Sequence, residues 1–352
     1  MIVPSTLQGP SCAVPHVERQ RVQLGHGSGG KLSAALLREH FLPRFGNRYL
    51  HELGDGAVLP LGGDEVVLST DTFVVNPLEF PGGNIGHLAV HGTVNDLAMM
   101  GAEPKYLSVG FVLEEGLELD VLATILDSMI EAARACDVEI VTGDTKVVER
   151  GKADGLYVNT TGLGHAPGGF RPGPRRARPG DAVLVSGPIA RHGMAIMAAR
   201  EGLAFDADIE SDTCSLLPLV AALRKRVGDG VRCLRDATRG GVASALNEIA
   251  SASDVGILLE TSPPVPGPVE AACEMLGLDP LYVANEGVMV AFVAPGVAGS
   301  ALAALRAHPA GAEAVLVGHV VEEHPGIVAL RTGLGGTRVV DLLPGDQLPR
   351  IC

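Results

Sequence analysis

Residues 166–180 read APGGFRPGPRRARPG, and so dense a mix of Pro, Gly and Arg is not expected to carry a helix or a strand. The segment reads as a linker or long surface loop that divides the chain. Before it, strands are expected at Glu65–Val75 (broken by a central Ser-Thr-Asp), Glu139–Thr142 and Leu156–Gly164. Helices are expected at Ala34–His40, at Ile85–Met100 with Gly101 as its stop, and at Val121–Cys136. Beyond it the alternation restarts. Strands are expected at Asp181–Ser186, Ile257–Glu260, within Leu281–Val293, and near Val315–Val321, Ile327–Leu330 and Arg338–Asp341. Helices are expected at Ala190–Glu201, Leu216–Val227, Val242–Ala252 and Val297–Ala307. Two such halves predict an α/β (α+β) protein of two domains, and 352 residues suffice for two cores. The expected parts are an arm (1–20), a first domain (21–165), the linker (166–180), a second domain (181–344) and a tail (345–352).

Aromatic residues make up 3% of the chain, so both cores must be built from Ala, Val, Leu and Ile. The same scarcity speaks against single-strand nucleic-acid platforms, which need aromatic faces for stacking. A net charge of −14 gives no general attraction for nucleic acid or polyphosphate. A nucleotide would have to be held by local devices such as metal ions, helix N-termini or single cations. The six Cys show no C-x-x-C pair, so no zinc site or disulfide framework is indicated. With no basic-then-apolar leader and no apolar run of membrane-spanning length, a cytoplasmic location is expected.

Four aspartates stand at the ends of apolar segments in the first half: Asp55, Asp71, Asp96 and Asp144. One alone would read as a turn or helix cap. Four together point to a shared divalent cation, with Mg²⁺ the natural partner of carboxylates that meet phosphate. Gly25–Lys31 (GHGSGGK) nearly matches a phosphate-binding G-x-x-x-x-G-K-[ST] loop, but Leu32 replaces the metal-binding hydroxyl. Backbone amides of Gly27, Ser28, Gly29 and Gly30 could still meet phosphate, with Lys31 adding charge; a plain surface loop fits the pattern equally. Lys146 faces the same way as Asp144 in an extended stretch, so it either reaches substrate or forms an ion pair. Glu286, between apolar residues, is either a proton-transfer group with a raised pKa or an exposed turn residue. Asp236–Gly241 precedes a helix, where Thr238, Gly240 and Gly241 either shape an anion site or only cap the helix. Cys352, on a tail stiffened by Pro349, is expected to be exposed, with Arg350 favouring its thiolate. Eight extended residues reach roughly 25 Å, enough to move between sites.

Several stretches together are similar to the HypE family of hydrogenase maturation proteins. They are HGSGGK (His26–Lys31), STDTFVV continuing through HGTVNDLAMMGAEPKYLS (Ser69–Ser108), VTGDTKVVERG (Val141–Gly151), RDATRGGVA (Arg235–Ala243), ANEG (Ala284–Gly287) and the closing PRIC. The superfamily also holds AIR synthetase, selenophosphate synthetase and thiamine-monophosphate kinase. Gly54 departs from the pattern, since many relatives carry Asp or Asn there. The resemblance implies a PurM-like fold whose N-terminal domain binds ATP with Mg²⁺ and dimerises through its sheet into a β-barrel, with a flexible C-terminal tail. It implies that the carbamoyltransferase HypF loads a carbamoyl group on Cys352. ATP-dependent dehydration would then give a thiocyanate, and the cyanide would pass to iron on a HypC–HypD complex. Asp55, Asp71, Asp96 and Asp144 would hold the metal, with Gly27–Lys31, Thr145 and Asp236 at the nucleotide. Glu286 would be the base, and Lys146 would orient the carbamoyl or phosphoryl group. A selenophosphate synthetase would instead need Cys or selenocysteine in the Gly-rich loop, which has His26 and Ser28. A non-catalytic maturation scaffold would hydrolyse no ATP.

Overall fold

The structure, a computed structural model, describes residues 30–45, 47–61, 64–202, 209–333, 335–343, 345, 348 and 350–352. The arm and Gly27, Ser28 and Gly29 of the glycine loop lie outside these residues.

The first half builds a five-stranded sheet from β1 (Ala57–Leu61), β2 (Asp64–Phe73), β5 (Glu103–Glu114), β6 (Glu139–Val148) and β7 (Leu156–His165), in the order β1-β2-β7-β5-β6. A small hairpin, β3 (Glu79–Phe80) and β4 (Gly83–Asn84), stands apart. Only the β5–β6 pair is parallel. Three short helical pieces, α1 (Lys31–Leu36), a π-helical turn Leu37–Phe41 and α2 (Leu42–Phe45), precede it. Helices α3 (Ile85–Met99) and α4 (Leu119–Ala135) cover one face. Asn84 caps α3 by accepting from the amides of Gly86 and His87. Gly92 lets α3 lie close on β2, since a Cβ there would stand 2.9 Å from the Phe73 ring.

The second half builds a seven-stranded sheet from β8 (Ala182–Val185), β9 (Val231–Asp236), β10 (Gly256–Leu259), β11 (Met289–Val293), β12 (Val315–Val321), β13 (Val328–Arg331) and β14 (Thr337–Val339). Its order is β14-β13-β10-β12-β8-β11-β9. Helices α5 (Arg191–Glu201), α6 (Leu217–Val227), α7 (Gly241–Ser253), α8 (Gly267–Leu276) and α9 (Ala298–Arg306) flank it. One apolar cluster fills each half. A third joins Ala98 and Met99 of α3 to the second sheet through Leu184, Leu234 and Met289. The chain is therefore a mixed α/β fold of two sheets locked together through α3.

The structure differs from the sequence expectations in places. β2 runs unbroken through Ser69-Thr70-Asp71, because β7 pairs with it from Val66 to Phe73. β6 continues past Thr142 to Val148, paired with β5. β5, β9 and α8 were not anticipated. Residues 166–180 form an irregular but packed segment: Phe170 is buried, and Arg171 pairs with Glu65.

Candidate active site

Side chains alternate faces along a strand, so Val67, Ser69, Asp71 and Phe73 of β2 point to the side covered by α3. There the Ser69 hydroxyl lies 2.6 Å from Asp96 Oδ2 on α3 and 2.8 Å from the Asp55 carbonyl oxygen. Asp236 arrives from the end of β9 in the other sheet. Asp55, Asp96 and Asp236 each place a carboxylate oxygen within 4.8 Å of the others. Burial raises all three pKa values, that of Asp236 to about 6, and for Asp96 the neighbouring carboxylates Asp236, Asp71 and Asp55 raise it further. Arg235 lies 2.6 Å from Asp55 and also pairs with Glu248, so its charge is shared. Three converging carboxylates with one shared cation form an all-oxygen donor set that fits a hard divalent ion.

Asp71 carries the negative charge outward from this group. Burial raises its pKa, and Arg239 stands 3.8 Å away. Arg239, from the turn before α7, feels the charges of the Cys352 thiolate and the Glu286 carboxylate.

Glu286 is 4% exposed, and its Oε1 has no hydrogen-bond partner among the described residues. Burial pushes its pKa well up, and Asp236 and Asp71 push it further. Its loop is held from two sides. The Asn285 side chain accepts from Ala190 N at 2.7 Å and donates to Ala237 O at 2.8 Å. The Glu286 amide donates to Asp212 Oδ1 at 3.0 Å. Gly287 is required for that approach, because a Cβ would stand 1.9 Å from the Asp212 carbonyl oxygen.

The tail enters between the two sheets. Val74 N donates to Cys352 O at 3.1 Å, and Asn76 N donates to Arg350 O at 3.3 Å, so the last residues pair with the segment that follows β2. The Ile351 side chain joins the first core. The Cys352 thiol then lies within electrostatic reach of Arg239, Glu286 and Asp71.

The structure corrects two expectations about that thiol. Cys352 is 9% exposed rather than open to solvent, and burial raises its pKa. Its neighbouring cation is Arg239, since Arg350 turns away to pair with Asp154. Three further expected residues stand elsewhere within one chain. Asp144 and Lys146 lie on the edge strand β6, 71% and 69% exposed, and pair with each other at 2.7 Å. Thr145 shares that strand; its backbone amide donates to Asp144 Oδ1. They do not join the buried carboxylates, because Asp144 and Lys146 are in register with Gly110 and Val112, on the face of the sheet opposite to the buried Leu107 and Val109. Asp236, read from the sequence as a nucleotide residue, sits among the carboxylates instead. Lys31 pairs with Asp341 Oδ2 at 2.5 Å, and its amide donates to Leu343 O, which ties the end of the glycine loop to the second half. Sequence reasoning gave no role to Arg239, Asp212 or His192; nothing in their local spacing distinguishes them, since each acts through contacts between distant segments.

Comparison with known proteins agrees with this geometry. Residues 53–166 match the family described as AIR synthase related protein, N-terminal domain, and residues 178–331 match its C-terminal domain. The chain is 53% identical over 332 residues to the carbamoyl dehydratase HypE of Bradyrhizobium diazoefficiens, covering 94% of this chain and 96% of that protein. A crystal structure of a HypE–HypF complex superposes with a TM-score of 0.83 at 44% identity, covering 88% of this chain and 100% of that one. A crystal structure of HypE in complex with ATP gives a TM-score of 0.79 at 47% identity, covering 94% and 99%. The chain belongs to the AIR synthase related family and, within it, to the HypE carbamoyl dehydratases.

Proposed function

We propose that this chain uses ATP to dehydrate an S-carbamoyl group carried on its own Cys352, giving a thiocyanate that supplies cyanide for the iron centre of [NiFe] hydrogenase. The observation that carries this reading is the buried, docked position of the Cys352 thiol, within electrostatic reach of Asp71 and of the Glu286 carboxyl, whose Oε1 has no hydrogen-bond partner among the described residues. Relatives about half identical in sequence are carbamoyl dehydratases, and a relative is known bound to ATP.

The chemistry balances in two steps. The carbamoyl oxygen attacks the γ-phosphorus of ATP, ADP leaves, and the nitrogen gives up one proton. The carbon–oxygen bond then breaks, phosphate leaves, and the second N–H proton is lost as the nitrile forms. Asp55, Asp96 and Asp236, with Asp71 beside them, would hold Mg²⁺, which neutralises charge on the phosphates. Glu286 takes a proton from nitrogen; burial makes it a stronger base than an ordinary carboxylate. Arg239 offsets negative charge around the loaded sulfur and the transferring phosphoryl oxygens. Gly27–Lys31 would lie over the phosphates.

HypF is the proposed source of the carbamoyl group, in line with the relative crystallised with it, and HypC–HypD the proposed acceptor of cyanide. The chain would work in the cytoplasm as a homodimer formed on the open face of the first sheet, where Leu68 of β2, Tyr106 of β5 and Val141 of β6 are exposed. Asp144, Thr145 and Lys146 keep a role only through such a dimer. Residues 21–165 would form the nucleotide and dimer domain and 181–344 the second domain.

Intact-mass measurement after incubation with the carbamoyltransferase, carbamoyl phosphate and ATP tests the reading. The wild type should gain the carbamoyl mass and then lose one water. Cys352→Ala should fold, bind ATP and show neither step; both steps in that variant would overturn the proposal.

A further inference from the structure

We propose that His192 and Arg200, both on α5, are positioning residues that dock the tail by its backbone carbonyls and so deliver Cys352 to the reaction centre. The proposal rests on the dehydratase reading and names the part of the second sheet's helical layer that serves it.

His192 is wholly buried, and its Nε2 lies 2.9 Å from the Ile351 carbonyl oxygen. A carbonyl only accepts, so Nε2 carries the hydrogen. The Nδ1 of a neutral imidazole must then accept, and Ser211 Oγ lies 2.8 Å from it. Ser211 Oγ is itself an acceptor for Thr213 N at 3.1 Å, which leaves its own hydrogen for His192. Burial keeps the imidazole neutral down to about pH 4, in agreement with this tautomer. Ser211 is fixed in turn, because its amide donates to Pro81 O at 2.8 Å. The donor facing the tail is thus set by a chain of bonds anchored in both halves of the molecule.

Arg200 stands two turns further along the helix. Its Nη2 donates to Arg350 O at 2.6 Å and to Asn76 O at 2.7 Å, and its Nε donates to Asn76 O at 2.9 Å. One guanidinium therefore bridges the tail to the segment with which the tail pairs. Gly193, next to His192, keeps the groove open: a Cβ there would stand 3.3 Å from Leu348 Cδ1 of the tail and 2.5 Å from Val283. Carbonyls 350 and 352 face Val74 and Asn76, while carbonyl 351 faces α5. The tail is gripped on both edges, and the grip makes no demand on the side chain of Cys352. A carbamoylated cysteine would dock by the same contacts as the free thiol.

This grip must be released for loading by a separate enzyme and restored for dehydration, so its loss should move two readouts in opposite directions. The probe is iodoacetamide on the unloaded full chain, with alkylation of residues 324–352 followed by mass after Glu-C digestion. Arg200→Leu should be alkylated at Cys352 about tenfold faster than wild type, the factor carried by one charge-assisted hydrogen bond. Pre-loaded Arg200→Leu should lose water about tenfold more slowly with ATP, while loading by the carbamoyltransferase is not slowed. His192→Leu should behave alike, and His192→Gln, which keeps an N–H of similar reach, should recover most of the rate. Arg200 is the decisive variant, because its substitution leaves no fully buried cavity. An unchanged alkylation rate in folded Arg200→Leu, or an unchanged dehydration rate, overturns the proposal. A wild type that loads but never loses water sinks the dehydratase reading, and the alkylation comparison still decides the clamp.

Discussion

The Cys352 thiol docks within electrostatic reach of the buried carboxyl of Glu286, whose negative charge raises the thiol pKa, so the loop before β11 meets the closing residue of the chain. Burial is the main reason that neither group has the proton affinity of its free form. Burial and the mutual negative charge disfavour ionising both at once. Loading removes the thiol proton from this balance and puts an amide N–H within reach of the same carboxyl. The geometry that makes Cys352 a poor free nucleophile when docked suits it as a tethered carrier.

Glu286→Gln should still accept the carbamoyl group, because loading needs only an accessible Cys352. Dehydration should slow by about 10²–10⁴-fold, the usual contribution of a positioned base. In the wild type the single-turnover rate should rise with pH through an apparent pKa above the ordinary carboxylate value of 4.5, following the raised pKa of Glu286. Mass-resolved time courses from pH 5 to 8 measure both. An unaltered dehydration rate in the variant would exclude Glu286 as the base.

Asp96→Asn should make the metal-free protein more stable near neutral pH. The substitution removes one of three buried like charges and keeps an oxygen for the Ser69 hydroxyl. The same change should weaken Mg·ATP binding at least tenfold, since an amide is a weaker ligand for a hard cation. Calorimetric titration and thermal melting in EDTA test the two halves. A variant less stable than wild type in EDTA would mean that the carboxylate serves a structural bond, not a metal.

The raised pKa values give a pH dependence of definite sign. A carboxyl whose pKa is higher in the folded chain binds its proton more tightly there, so stability falls as pH rises through the window. For Asp236 that window runs from the ordinary 3.8 to about 6, and Asp55 and Asp96 shift in the same direction. The metal-free protein should therefore lose stability from Asp236 as pH rises from about 4 to about 6. Added Mg²⁺ should raise the melting temperature more at pH 7.5 than at pH 5.5. Equal shifts at the two pH values would show that the ion binds elsewhere.

Much of the secondary structure was legible because it is local. α3 announced itself by its small apolar residues, its stop at Gly101 and its spacing, and β12 by its run of Val. β5 was hidden because both of its faces carry apolar residues, with Leu107 and Val109 inward and Tyr106 outward, which blurs the two-residue period. β6 was cut short because Gly143-Asp144 resembles a turn. In the sheet Gly143 is needed, since a Cβ there would stand 2.5 Å from the Val109 carbonyl oxygen of the paired strand. The site divides in the same way. Asp55, Asp71, Asp96 and Glu286 were recognisable as carboxylates at the ends of apolar strands or helices or between apolar residues. That Asp236 rather than Asp144 meets Asp55 and Asp96 depends on how two sheets dock through α3, and no local spacing encodes that.

Lys146 and Asp144 offer the sharpest test of the proposed dimer. Within one chain they pair with each other on an exposed edge strand, far from burial. If they act, they act on the site of the other copy. Lys146→Ala keeps its own Cys352 and lacks the cation; Cys352→Ala keeps the cation and lacks the carrier. Each homodimer should fail to form thiocyanate. A mixed dimer has one site with Cys352 from one copy and Lys146 from the other, so co-refolding the two variants should restore activity to roughly a quarter of wild type, half of the dimers being mixed with one competent site each. A mixture as inactive as its parents would confine Lys146 to its own chain. If Lys146→Ala alone dehydrates at the wild-type rate, the Asp144–Lys146 pair is a surface ion pair with no part in the chemistry.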